Sequence, residues 1–211
     1  MNQLPFLHRA AVTLLSAALV ALTAGCAPLL LGGAVVGGSL VATDRRSSAT
    51  QLEDQVIEVK AATRVRELLS ERGRVSSTSY NRLVLLTGDV ATEADKAAVE
   101  QTVARVDNVK SIVNELVVMG SQSLGARSND ALISTKVKAS IVDAKDLYAN
   151  SIKVVTERGV VYLMGRVTER EATQAANVAR GVSGVQKVVR VFEILTDTEL
   201  ADLQSRPTPK Q

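Results

Sequence analysis

Cys26 is the only cysteine and His8 the only histidine among the 211 residues, and tryptophan is absent. Both fall in an opening segment with the composition of an export signal. Arg9 precedes a short apolar run from Ala10 to Leu22, and the small residues Thr23, Ala24 and Gly25 lead into Cys26. The run is too short to span a bilayer as a helix and fits a signal h-region. Removing residues 1–25 takes away the imidazole and leaves one thiol at the new amino terminus. Transition-metal sites then lose their usual ligands, and neither a Ser-His nor a Cys-His nucleophile pair can be built. No Gly-rich loop followed by Lys is present to cradle a phosphate. A Ser-Lys or two-carboxylate mechanism is formally open, but no spacing asks for one. The expectation is a chain with no catalytic residue, no metal and no cofactor.

The chemistry expected of Cys26 is covalent anchoring. Small residues ahead of a lone Cys resemble a bacterial lipobox, in which that Cys is acylated. Leu22 stands one place earlier than is usual there, with Thr23 in its position. Ala27 follows, not Asp, which by resemblance to the lipoprotein sorting rule implies the outer membrane. Charge adds little, because Arg9 is the only charged residue of the first 25, leaving 24 basic against 22 acidic. A nucleic-acid footprint needs a clustered basic face with aromatic platforms. With only 2% aromatic residues and no basic cluster, none is expected.

Two stretches repeat: Asn81 to Ala97 (NRLVLLTGDVATEADKA) and Arg158 to Ala172 (RGVVYLMGRVTEREA). Each is an apolar strand ending in Gly88 or Gly165, then a Val, then Thr-Glu opening a helix. Thr92-x-x-Asp95 and Thr168-x-x-Glu171 have the form of capping boxes. Gly88 and Gly165 are read as structural, at points where a side chain would clash or φ is positive. A repeat of this length means two copies of one small domain.

The elements that carry these residues follow from periodicity. Residues 1–25 read as signal peptide and 26–50 as a Gly-rich apolar tether. The first domain, 51–119, has a helix with Ile57, Ala61, Val65 and Leu69 on one face. Two strands, the Thr92-capped helix and a last strand from Val109 to Met119 complete it. Residues 120–128 read as linker. The second domain, 129–195, repeats the order, with a first helix from Asp130 to about Val142 capped by Ser128 or Asn129. Residues 196–211 read as a flexible tail. The fold class is α+β: two tandem αββαβ domains, each with two helices on one face of a three-stranded mixed sheet.

Two copies of strand–Gly–Val–Thr-Glu–helix–Gly-Val–strand, together with SNDALISTKVKASI from Ser128 and VTERGVVYLMGRVTEREA from Val155, resemble the BON domain family of dual-domain outer-membrane lipoproteins. The resemblance covers residues 51–195. It implies a non-catalytic module that binds phospholipid or attaches proteins to membranes, with effects on division-site localisation and envelope integrity. It also implies that the first helix of the second domain contacts anionic phospholipid. A family member has an aromatic where Leu132 stands, which implies weaker interfacial anchoring in this chain.

The residues of that helix give the same location a physical basis. At about 100° per residue, Ile133, Val137 and Ile141 share the core-facing side. Leu132, Ala139 and Val142 lie on a largely opposite face, flanked by Lys136 and Lys138. A second apolar stripe with bordering cations suits an interface with anionic lipid. Aligning Val65 with Val137 puts Lys60, Glu67 and Ser70 at the matching places in the first domain, so that face reads as polar there. Burial of Leu132 and Val142 against the other domain or the linker is the alternative. The expected partner is membrane phospholipid. An adaptor for envelope, division or cell-wall remodelling proteins stays open as a second reading, as do oligomeric state and packing between the domains.

Overall fold

The computed structural model describes residues 44–205. Cys26, the signal segment and the tether up to residue 43 lie outside the described residues, as does the chain beyond 205. The first domain consists of α1 (Ser48–Leu69), β1 (Gly73–Tyr80), β2 (Leu83–Val90), α2 (Glu93–Ala104), β3 (Ser111–Asn114) and β4 (Val117–Val118). The second consists of α3 (Leu124–Asp143), a 3-10 turn (Ala149–Ser151), β5 (Ile152–Glu157), β6 (Val160–Val167), α4 (Glu169–Arg180) and β7 (Lys187–Ile194). A terminal helix, α5 (Asp197–Ser205), follows.

Each hairpin is antiparallel, with Tyr80 opposite Leu83 and Glu157 opposite Val160. Both two-residue turns place their central residues at positive φ: Asn81 (51°) with Arg82 (68°), and Arg158 (51°) with Gly159 (73°). This is the turn type whose twist matches the flanking strands. The central strands β2 and β6 then pair in parallel with β3–β4 and β7. Gly88 and Gly165 sit within the hairpin ladders, opposite Val75 and Ile152. A Cβ at either would lie 2.0 Å from the Arg74 carbonyl oxygen or 2.3 Å from that of Ser151, so only glycine fits.

The side chains of β2 and β6 alternate between two cores. Val84 and Leu86 face α1 and α2, and Val161 and Leu163 face α3 and α4. The intervening Leu85, Tyr162 and Met164 join Tyr80 and Val191 in a third buried cluster where the two sheets pack on one another. The Tyr80 hydroxyl donates to the Ser151 carbonyl at 3.2 Å, and the Tyr162 hydroxyl to Glu115 at 3.4 Å, each crossing between domains. Burial pushes both phenols above the usual tyrosine range, so they stay neutral donors. Buried Asp89 adds a polar contact at one end of the interface. It accepts from Arg74 at 3.3 Å and from Arg158 Nε of the other domain at 2.9 Å.

Several sequence boundaries shift. The segment expected as tether up to residue 50 is already packed at Asp44–Ser47, and α1 starts at Ser48 because Ser47 Oγ accepts from the Thr50 amide. The last strand of the first domain is broken at Glu115–Leu116, where Leu116 turns inward and its amide donates to Asn114 Oδ1. Most of the expected linker belongs to α3, which begins at Leu124. Its cap is Ser123, not Ser128 or Asn129. The expected flexible tail starts instead with α5. Thr196 Oγ1 accepts from the Glu199 amide (3.2 Å) and Glu199 accepts from the Thr196 amide (2.8 Å), a capping box that the polar tail was not expected to hold.

Candidate membrane-contacting face

The helix α3 is placed by a buried carboxylate and three aliphatic residues. Asp130, Ile133, Val137 and Ile141 are its buried positions. Asp130 Oδ2 and Oδ1 accept from the amides of Arg158 and Gly159, both at 2.8 Å, and so tie the helix to the β5–β6 turn. Asp54 does the same in α1, accepting from the amides of Asn81 and Arg82 at 2.8 Å each. Burial alone would raise the Asp54 carboxyl. Hydrogen bonds from Ser79, the Arg82 amide, Arg46 and the Asn81 amide outweigh that and hold it below the usual range.

This shared role corrects the alignment of the first helices. Asp54 matches Asp130 and Ile57 matches Ile133, one helical turn away from the Val65–Val137 pairing. Leu132 therefore corresponds to Val56, not Lys60, and the outer face of α1 is not polar. It exposes Leu52 (62%), Val56 (44%) and Val59 (68%). Of the cations beside it, Lys60 pairs with Asp107 at 2.8 Å and Arg64 donates to the Arg105 carbonyl at 2.6 Å, while Arg66 is exposed on the same side as Val59.

The outer face of α3 is also uncovered. Leu132 is 60% and Val142 67% exposed, and Ala139, Lys136 and Lys138 are exposed too. Neither Leu132 nor Val142 is buried against the other domain or the preceding segment of the described chain. The earlier helix start adds Leu124, 73% exposed. At about 100° per residue, Leu124, Leu132, Ala139 and Val142 fall within an arc of roughly 80°. Lys138 borders it on one side and Lys136 on the other, each about 40° beyond. The stripe runs about 27 Å along the helix. Asp143 and Asp146, with Lys145 between them, follow at the carboxyl end.

The residues expected to shape the turns are in place. Thr168 completes a capping box with Glu171, whose carboxylate accepts from the Thr168 amide at 2.8 Å. Thr92 caps α2 by accepting from the Asp95 amide at 3.0 Å, but Asp95 spends Oδ1 on Arg72, and the reciprocal bond to the Thr92 amide is not made. Glu171 also receives Arg45. Burial would raise its carboxyl, but bonds from Arg45 and the Thr168 amide hold it below the usual range.

Sequence reasoning missed Leu124, hidden behind the helix-weakening Gly125, and Tyr148, which is 50% exposed just past α3. It also missed Asp54 and Asp130, whose signal is an Asp three residues before the first inward Ile in both repeats. Among the described residues no group of three or more His, Cys, Asp or Glu is placed to hold a metal ion, and no helix is long and apolar enough to cross a membrane.

The BON domain model matches residues 53–120 and 129–196. The chain is 36% identical over 173 residues to the outer membrane lipoprotein DolP of Haemophilus influenzae, covering 81% of this chain and 89% of that protein. It is 34% identical over 151 residues to the 21 kDa hemolysin of Actinobacillus pleuropneumoniae, covering 71% and 78%. Osmotically-inducible protein Y of Escherichia coli is 34% identical over 106 residues, half of each chain.

Proposed function

The chain belongs to the BON-domain family, and on that premise we propose that it is a non-catalytic outer-membrane lipoprotein, acylated at Cys26 and facing the periplasm. In this reading it binds anionic phospholipid through α3 and supports outer-membrane integrity. The likeness to an outer membrane lipoprotein over most of both chains supports the location. The single observation that carries the binding reading is the uncovered stripe of Leu132, Ala139 and Val142 between Lys136 and Lys138.

The magnitudes suit a reversible contact. Sinking Leu124, Leu132 and Val142 into the headgroup boundary gains roughly 1–2 kcal/mol each. Lys136 and Lys138 add about 1 kcal/mol apiece at an anionic surface. Such a face is weak alone and effective once an acyl anchor holds it near the bilayer.

The test is flotation of the chain from residue 26, carrying Cys26→Ser and hence no acyl group, with vesicles of phosphatidylglycerol or of phosphatidylcholine. Binding to the anionic vesicles that weakens with salt supports the reading. Absence of binding to both contradicts it. In cells, Cys26→Ser releases the protein from the membrane fraction. Unchanged fractionation, with no acyl mass at the amino terminus, removes the anchor from the account. The adaptor reading rests on the outer face of α1. Its apolar Leu52, Val56 and Val59, beside Lys60 and Arg64 that are both bonded within the domain, suit a protein partner. That function requires the partner, whereas lipid binding proceeds on pure vesicles.

A further inference from the structure

Asp44–Arg46 is where the chain from the anchor reaches the domains, and it is held from both sides. The Arg45 side chain is almost fully buried. Its Nη1 and Nη2 donate to the two Glu171 carboxylate oxygens at 2.8 and 2.7 Å, and Nη1 also donates to the Arg166 carbonyl at 2.8 Å. Arg166 Nη1 returns a bond to the Arg45 carbonyl at 3.2 Å. The Arg45 guanidinium lies 5.4 Å from the ring centroid of Tyr148. The next residue turns to the other domain. Arg46 donates to Asp54 and Asp44, both at 2.8 Å, and stacks 4.0 Å over the Tyr80 ring.

Two observations put this arrival point beside the carboxyl end of α3. Tyr148, five residues past the helix, is the ring under Arg45. Separately, a surface groove of about 420 Å³ is lined by Arg46 and Tyr80 together with Lys138 and Val142 of the stripe. The placement matters because the 17 residues between Cys26 and Asp44 reach about 60 Å when extended. A tether of that length, loosely attached, would let any face of the domains meet the bilayer. A fixed exit beside Val142 and Tyr148 favours one face. Tyr148 is half exposed, and an aromatic with a polar tip suits the headgroup boundary.

We propose that Arg45 and Tyr148 are a positioning pair that lands the incoming chain at the carboxyl end of the α3 face, so that anchor and face engage the same bilayer, with Tyr148 itself touching lipid. The proposal rests on the phospholipid reading of α3. It goes beyond it in assigning Tyr148 as a contact and Arg45 as the group that sets orientation.

The absence of tryptophan makes single-indole reporters clean. Mature chains from Cys26 onward, carrying Tyr148→Trp, Leu132→Trp or Val59→Trp, are coupled through Cys26 to maleimide-bearing lipid in phosphatidylglycerol–phosphatidylcholine vesicles. Quenching by brominated phospholipid is then read. The expected result is quenching of the reporters at 148 and 132 but not at 59. Adding Arg45→Gln lowers the 148 signal by about threefold or more in coupled protein and leaves it unchanged in uncoupled protein added to the same vesicles. A purely structural role for Arg45 would lower both signals alike, which overturns the positioning claim. A quenched reporter at 132 with a silent one at 148 also overturns it and leaves the phospholipid reading standing. Silence at both positions removes the two together.

Discussion

Replacing Asp54 by Asn probes the device that holds the first helix of each domain to its sheet. The Asp54 side chain is 2% exposed and accepts four hydrogen bonds. Oδ1 takes Ser79 Oγ at 2.7 Å and the Arg82 amide at 2.8 Å, while Oδ2 takes the Asn81 amide and Arg46 Nη1, both at 2.8 Å. An Asn of the same shape has one acceptor oxygen. In its better orientation the oxygen faces Asn81 and Arg46, the Ser79 hydroxyl rotates to accept from the new NH2, and the Arg82 amide is orphaned. One buried orphan and the lost charge in two further bonds amount to about 2–4 kcal/mol. The depressed folded-state pKa gives this contribution a direction in pH. It is complete above the unfolded carboxyl value of about 3.9 and disappears as pH falls through the lower folded value. Urea unfolding at pH 7 and amide exchange at Asn81 and Arg82 measure the loss, and the variant should show a shallower decline in stability below about pH 4. A variant within about 0.5 kcal/mol of wild type, with unchanged exchange at both turn amides, would refute the reasoning.

Two further outcomes follow from the second domain. Gly165→Val drives a Cβ to within 2.3 Å of the Ser151 carbonyl and should lower stability by about 2 kcal/mol or more; thermal unfolding identical to wild type would show that the strands can separate there at no cost. Thr168→Ala should cost about 0.5–2 kcal/mol in denaturant titration. It should cost more than Thr92→Ala: each hydroxyl donates to a carboxylate that receives an arginine, but the Arg45–Glu171 pair is buried on both sides while Arg72 is mostly exposed; equal losses at the two caps would separate Arg45 from the capping box.

What the sequence made legible is whatever repeats with local chemistry. The Thr-x-x-acid caps, the two strand glycines and the inward stripes Ile57–Leu69 and Ile133–Ile141 are set by neighbours within one helical turn or one hairpin. The start of α3 was not legible, because Gly125, Ser128 and Asn129 look like linker while Ser123 supplies the cap. The tail helix carries a readable Thr196-x-x-Glu199 box, but its polar surroundings hid it. Apolar character alone pairs Val65 with Val137 and misplaces the register between α1 and α3 by one helical turn. The informative residues were charged, Asp54 and Asp130, and their partners lie across a turn far along the chain. Packing between the sheets left a signal in the uninterrupted runs Leu83–Leu86 and Val160–Met164. Continuous apolar strands are those buried on both faces, and here the second face meets the other domain.

The central claim is that the outer face of α3 meets anionic lipid. The most direct measurement is the partitioning of wild-type and Leu132→Glu proteins onto phosphatidylglycerol vesicles, with circular dichroism and thermal unfolding recorded on the same samples. Leu132 is 60% exposed and lies outside all three buried clusters, so the substitution should leave folding within about 0.5 kcal/mol of wild type. It places a carboxylate in the stripe, on the side bordered by Lys136, and the account predicts that vesicle binding is abolished. A folded Leu132→Glu protein that binds anionic vesicles like wild type would contradict the account.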